Sequence, residues 1–385
     1  MTLSFYIHIP YCIKRCGYCD FNTYTPAELG QGEVGRSEIS SRFMSSVQQE
    51  ILRAAKEFQS KQLPQITTIF FGGGTPSLMD PVDIARTIAK IDEIFSLTKD
   101  CEITLEGNPD TLNEINVAGF AEAGVNRISL GVQSANQKVL ATLDRTHKNS
   151  NVLRALELAV KNGIKGRSID LIYGTPGESV VALEESLDFA LSLPIDHISA
   201  YALIVESGTR LARQVASGEI ATPDDDEMAD KYRIIDERFN QAGFHWYELS
   251  NWANSLDSRS RHNQVYWNGG DWWGVGPGAH SHLDGKRWWN IKNPISYMNA
   301  LDNDLTIIAG EETLNESAKS DERIMLGIRL REGIARDELK TIQEEVVARY
   351  IASEAVDQSA WDMGRLTLTL KGRLIADRIV RDLVV

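Results

Sequence analysis

Residues 11–21 read Tyr-Cys-Ile-Lys-Arg-Cys-Gly-Tyr-Cys-Asp-Phe, which spaces Cys12, Cys16 and Cys19 as C-x3-C-x2-C. The run follows directly on Ser4–Ile9, an apolar stretch that predicts a β-strand. Only four cysteines occur, and three fall in this one loop. That grouping does not suit a secreted disulfide framework and points to metal in a reducing compartment. Each iron of a [4Fe–4S] cube has three sulfides and takes one more ligand, so three thiolates leave one iron open. An open iron can chelate the amino and carboxylate groups of a methionine. Zinc is the competing reading. Structural zinc wants four closed ligands, and the nearest extra candidates are Asp20 and His8. His8 lies on the alternating strand and reads as a hydrogen-bonded core histidine. Cys101 is isolated at a strand start and reads as buried and structural.

Outward from this loop, one unit repeats: a short apolar run, a loop, then a helical pattern. Strands are expected at Ser4–Ile9, Thr67–Phe71, Glu102–Glu106, Arg127–Gly131, Ser168–Ile172 and His197–Ala202. Helices are expected at Ser37–Phe58, Pro81–Phe95, Leu112–Ala123, Asn151–Asn162 and Val181–Leu191. Alternation of this kind gives βαβ units and a parallel α/β sheet, either open or rolled into a partial barrel of six strands. The loop Asn22–Gly35 reads as a flap or a plain surface loop. Functional residues then belong at the C-terminal ends of the strands.

Composition changes after Thr222. Seven of the eight tryptophans lie between Trp246 and Trp289, among Gly, Asn and His. A polar break at Gly310–Lys319 precedes helices expected at Asp321–Arg331 and Arg336–Ala352, a strand at Arg365–Leu370 and a helix at Leu374–Leu383. The reading is therefore a barrel over 1–222, an aromatic-rich extension over 223–309 and a small α+β, winged-helix-like domain over 310–385.

The net charge of −14 argues against general nucleic-acid binding, which needs Lys and Arg on phosphates. Arg365, Lys371, Arg373, Arg378 and Arg381 offer the terminal domain to DNA, but they alternate with acids and read better as a solvated face or a lid over the barrel. No apolar run is long enough for a membrane span. The start lacks a basic region and carries His8 in its apolar stretch, which reads against a signal peptide and for a cytoplasmic protein. Transient membrane association stays compatible with this pattern.

Three candidate site elements sit at strand ends. Gly72-Gly73-Gly74-Thr75 lets a ligand approach the backbone closely, though a tight turn explains part of it. It lacks a P-loop lysine and the G-x-G-x-x-G pattern, which disfavours phosphate. Glu106, Gln133 and Asp170 place one polar group on each of three strands, as a barrel site does. Each acid also reads as a helix cap.

The cysteine spacing resembles the radical S-adenosylmethionine superfamily. Residues 6–10 (YIHIP), 72–76 (GGGTP), 106–109 (EGNP), 131–133 (GVQ) and 169–174 (IDLIYG) are similar to the branch of oxygen-independent coproporphyrinogen III oxidases and their haem-chaperone relatives. The resemblance implies a [4Fe–4S] cluster on Cys12, Cys16 and Cys19. It also implies that Tyr6, Tyr18, Gly73, Gly74, Thr75, Glu106, Gln133, Arg145, Asp170 and Ala202 surround S-adenosylmethionine, with carboxylates on ribose hydroxyls and Arg on the carboxylate. The oxidase pattern has another cysteine where Phe21 stands, and a long segment before the YIHIP strand. Both departures match the haem chaperones, as does His262-Asn-Gln-Val-Tyr-Trp267. An imidazole can ligate haem iron, so His262 is a candidate haem ligand. The alternative is that His262, Tyr266 and Trp267 are packing residues. The expected function is haem delivery to haem-requiring proteins. The alternative is radical decarboxylation of coproporphyrinogen III.

Overall fold

A computed structural model describes residues 2–30, 38–58 and 63–384. Six parallel strands form its centre: β1 (Thr2–Ile9), β2 (Gln65–Gly73), β3 (Leu97–Gly107), β4 (Arg127–Gln133), β5 (Gly166–Tyr173) and β6 (His197–Ala202). Helices Glu38–Glu57, Pro81–Phe95, Glu114–Glu122, Asn149–Lys161 and Val180–Ser192 connect them. Each presents an apolar stripe to one sheet face, so Val47, Ile51, Ile84, Ile91, Val117 and Leu156 share one core with Phe5, Ile69, Leu105 and Ile169. The expected (β/α)6 partial barrel is the observed architecture.

The other face of the sheet is polar. Directly paired residues point to the same side. Tyr6 pairs with Phe70 and Phe70 with Thr104, while Glu106 pairs with Ser129 and Gly131 with Asp170. Tyr6, Glu106 and Asp170 therefore line one lumen.

The chain beyond 222 continues this sheet. Strands β7 (His245–Glu248) and β8 (Asn251–Ala253) join beyond β6, and β9 (Trp272–Val275), β10 (His280–Leu283), β11 (Lys286–Asn290) and β12 (Ile308–Thr313) extend from β1. The twelve strands run β12-β11-β10-β9-β1-β2-β3-β4-β5-β6-β8-β7. Position 310, read as a polar break, lies inside β12, which is exposed along most of its length and pairs antiparallel with β11.

A second core gathers Ile324, Ile328, Ile334, Val347, Leu366, Ile379 and Leu383. It holds helices Glu316–Gly327, Thr341–Ala352 and Ala376–Leu383 around the short pair β13 (Ile334–Ala335) and β14 (Arg365–Leu366). The strand expected at Arg365–Leu370 stops at Leu366. Thr369 instead caps a helix over Leu370–Leu374, accepting from the Gly372 N–H at 3.2 Å. Of the loop 22–35, residues 31–35 lie outside the described residues. Its first part is tied down: Asn22 Nδ2 donates to the carbonyls of Pro277 and Lys292, both at 2.9 Å.

Candidate functional site

The cysteine loop leaves β1 and folds back over the C-terminal ends of the strands. Two backbone bonds join it to the glycine loop after β2: Gly74 N–H donates to Ile9 O at 2.7 Å, and Thr75 N–H to Tyr11 O at 2.8 Å. The approach is so close that a Cβ on Gly74 would stand 2.5 Å from the Tyr11 carbonyl oxygen. Gly73 adopts φ +110°, and a Cβ there would meet the His8 ring at 2.5 Å. Two glycines are thus required by geometry as well as by the turn.

All three cysteines are free thiols. Thr75 Oγ1 donates to Cys12 Sγ at 3.6 Å, and Arg145 donates to Cys16 Sγ at 3.8 Å. Burial pushes the Cys12 thiol up to about 11 and raises Cys19. Such thiols keep their protons until a cation replaces them. Among the described residues no group of three His, Cys, Asp or Glu side chains is gathered to hold one metal ion. Zinc would need such a gathering, with each sulfur about 2.3 Å from a single ion. A four-iron cube instead spreads three thiolates over three irons. Three unbridged thiols, one for each of three irons, fit the cube.

Arg145 stands between the cysteine loop and β4. Besides Cys16 it bonds the Gly131 carbonyl, and its Nε is buried without a partner. An unpaired buried guanidinium donor beside the cysteine loop would suit a carboxylate ligand. Glu106 accepts from the Gly73 N–H at 3.0 Å. Burial, then the charge of Asp170, pushes Glu106 up to about 8. Burial also pushes Asp170 up to about 6, against hydrogen bonds from Ser199 and Ser129. Ser129 Oγ lies 3.2 and 3.3 Å from its two oxygens. The two carboxyls share one lumen, and neither caps a helix: Asn108 caps the turn after β3, and Asp170 lies within β5.

The remaining expected residues also sit at this end. Tyr6 stacks on Phe70 and His262, with centroids 6.1 and 6.4 Å away, and its hydroxyl meets His8 Nδ1 at 3.1 Å. Gln133 ends β4 at φ +64°, a left-handed conformation costly for a non-glycine residue, and its amide lies against Gly131. Tyr18 packs against the cluster of Ile172, Leu203 and Leu211. Ala202 ends β6 opposite Tyr173.

His262 is placed differently from an accessible haem ligand. It is 1% exposed at the foot of the lumen. Thr68 Oγ1 donates to Ser4 at 2.8 Å, so it accepts from His262 Nδ1–H at 2.7 Å. Nε2 then accepts the Tyr266 hydroxyl at 2.8 Å. Burial pushes this imidazole down to about 3, so it is neutral. Neither nitrogen is free to bind iron in this arrangement.

Sequence reasoning passed over Asp144, Asn22 and Ser129. Asp144 meets Lys14 of the cysteine loop at 3.6 Å and Arg210, at the start of the helix Arg210–Ala216, at 3.2 Å. These contacts span up to 130 residues, and no local motif announces them. His8 was read as a core histidine, and it is one: 6% exposed, with Nε2 on the Asn22 carbonyl at 2.9 Å.

Residues 6–190 match the family model of the Radical SAM superfamily. Across 99% of this chain and 89% of the other, the fold superposes on coproporphyrinogen III oxidase (HemN) from Escherichia coli with TM-score 0.82 at 20% identity, a likeness of fold alone. The chain is 42% identical to the haem chaperone HemW of Mycobacterium tuberculosis over 98% of its own length and 94% of the relative's. It is 34% identical to HemW of Synechocystis over 92% and 84%. It is 33% identical to the mitochondrial radical S-adenosyl methionine domain-containing protein 1 of Danio rerio over 95% and 81%. With such identity over nearly the whole of both chains, and with the cysteine and glycine loops joined as described, the chain belongs to the HemW family within the Radical SAM superfamily.

Proposed function

We propose that this protein is a haem chaperone, which binds haem and delivers it to haem-requiring proteins. The observation that carries this reading is 42% identity over nearly the full length of a curated haem chaperone. Phe21, 64% exposed where the oxidase pattern has a further cysteine, supports it. Cys12, Cys16 and Cys19 would hold the [4Fe–4S] cluster. Arg145 would take the carboxylate of S-adenosylmethionine, and Glu106 and Asp170 its ribose hydroxyls. Tyr6, Tyr18, Gly73, Gly74, Thr75, Gln133 and Ala202 would complete the wall. Bound together, a reduced cluster and S-adenosylmethionine supply one-electron chemistry. The chain's own contribution is to fix the ligand and shield it from water. Among the described residues no helix is long and apolar enough to cross a membrane. The proposed place of work is the cytoplasm, with acceptor proteins reached there or transiently at a membrane.

The test uses protein reconstituted anaerobically with iron and sulfide. It should bind haem with a Soret band and pass haem to an apo-haemoprotein. With reductant and S-adenosylmethionine it should form no protoporphyrinogen from coproporphyrinogen III. Steady turnover in that assay, or no haem binding, overturns the reading. Cys16→Ala should abolish the cluster's absorption.

A further inference from the structure

A second cavity, of about 480 Å³, opens beside the lumen between β9–β11 and the helix Glu316–Gly327. Tyr266, Trp272, His280, Arg287, Trp289 and Leu326 line it. We propose that this cavity is the haem site, with His280 as axial ligand, Trp289 stacked on the imidazole to orient it, and Trp272 in the wall beside the porphyrin. The proposal rests on the haem-chaperone reading and names the site where that reading takes place.

The histidines decide the ligand. His8, His197, His262 and His282 each spend both ring nitrogens on internal partners. His245 uses Nδ1 on Asn240, and His147 is 1% exposed. Neither lines this cavity. His280 is exposed, and among the described residues no hydrogen bond engages its ring. It stacks on Trp289 at 5.7 Å with the planes 24° apart. An imidazole with free nitrogens can ligate haem iron, and because its lone pair lies in the ring plane, the indole stacked on it would orient the ligand rather than lie on the porphyrin. Partial burial and the Lys292 charge lower the His280 pKa, which keeps the ring neutral and its lone pair available.

The rest of the cavity agrees in size, and its lining also holds Glu312 and Glu322. Its volume lies in the range of sites that enclose a cofactor-sized ligand. Arg287 is the cation in that lining, and a propionate would reach it only by displacing a glutamate. Arg287 is now held by Glu312 and Glu322, which are carboxylates of the kind a propionate would replace. The indole of Trp272 is fixed by a bond from Nε1 to the His280 carbonyl at 2.9 Å.

The site also gives the His262–Trp267 motif a role without ligation. Tyr266 touches the His262 ring edge-on at 5.0 Å and Trp272 at 4.7 Å. His262, held by Thr68 in the lumen, therefore fixes the tyrosine that forms the cavity wall. Trp272 pairs with Ser4 in register, so the cavity lies on the sheet face that carries Tyr6 and Glu106. Haem would bind beside the S-adenosylmethionine site, with one layer of aromatic side chains between them.

The experiment titrates haemin into the full-length, cluster-loaded protein and reads Soret absorption and the ferric EPR spectrum. Removing a partner one shell out from a metal costs about 10–100-fold in affinity, so loss of the ligand in His280→Ala should weaken binding about tenfold or more and change the spin state. Added imidazole should restore the wild-type spectrum, which a merely structural defect would not allow. Leu326→Trp, which narrows the cavity without touching His280, should also weaken binding. If the wild type binds haem and both variants match it in affinity and spectrum, this site is wrong and the chaperone reading stands. If the wild type binds no haem, the chaperone reading fails and the site falls with it.

Discussion

His262 shows how one residue can be read two ways until its partners are known. Its nitrogens form a chain from Ser4 through Thr68 and the imidazole to Tyr266. Such a chain needs the neutral ring, and burial enforces it by pushing the pKa down to about 3. In the unfolded chain the ring titrates near its ordinary 6.5. The folded state thus refuses a proton that the unfolded state takes between these values. This contribution is complete above about pH 6.5 and is lost as pH falls through that window, at up to about 1.4 kcal/mol per unit. His262→Gln removes the titrating group but imperfectly replaces the two hydrogen bonds. Urea unfolding at pH 7.5 should find the variant less stable by about 1–2 kcal/mol. At pH 4.5 the gap should close or reverse. A gap independent of pH would show that the folded protein tolerates the protonated ring. The sequence showed this histidine beside aromatic residues. It could not show that Thr68, almost two hundred residues earlier, completes its hydrogen bonding.

At the scale of elements, the six βα units were legible because each carries its own signal. A strand buried in a parallel sheet is a short apolar run, and its helix follows within a few residues. His197–Ala202 and Pro81–Phe95 end where their patterns end. The extension was not legible in this way. Strand β9 has four residues and pairs parallel with β1, 268 positions away from its partner Ser4. Nothing near Trp272 announces such a partner. The candidate site followed the same division. Cys12, Gly73, Glu106 and Asp170 stand at ends of legible strands, whereas the cavity of His280 is made by the extension. Glu50 shows how the extension is held. From the helix Glu38–Glu57 its carboxylate accepts from Gly276 N–H at 2.8 Å, Asn290 Nδ2 at 2.7 Å and the Tyr297 hydroxyl. Glu50→Ala takes the acceptor from the Gly276 N–H and the Tyr297 hydroxyl, at about 1–3 kcal/mol for each buried donor left orphaned, while Asn290 Nδ2 keeps the Gly276 carbonyl at 3.0 Å. The variant should unfold at lower urea, and amide exchange at Gly276 should accelerate while that of β4 and β5 changes little. Equal protection of Gly276 in variant and wild type would mean that the tie carries no load.

Across the whole molecule, two hydrophobic cores must act as one, and a buried ion pair stands at their junction. Arg373, from the C-terminal unit, donates to both oxygens of Asp236 at 2.9 and 2.7 Å, and to the Tyr232 hydroxyl at 3.2 Å. Its guanidinium lies 4.3 Å from the centre of the Trp246 ring. Both side chains are nearly sealed from water, at 3% and 9% exposure. Arg373 was read from sequence as one of several basic residues on a solvated face or on a lid over the barrel. The solvated alternative fails for this residue, because a charge pattern along a helix does not reveal an acid on another unit. In a buried pair, desolvation offsets much of the attraction, so the pair adds little net stability, but losing one member strands the other. Arg373→Met should therefore cost about 3–5 kcal/mol, since it leaves Asp236 charged and unmatched. Asp236 also accepts from Trp252 Nε1 at 2.9 Å, and an asparagine there keeps that acceptor while removing the charge. The double variant Arg373→Met/Asp236→Asn should recover most of the lost stability in urea unfolding. In the single variant the two cores should separate into two transitions, with near-ultraviolet circular dichroism of the tryptophan-rich extension following the second. If the double variant is no more stable than the single one, the cost lies in lost packing over Trp246 rather than in a stranded charge, and the junction is apolar in its energetics.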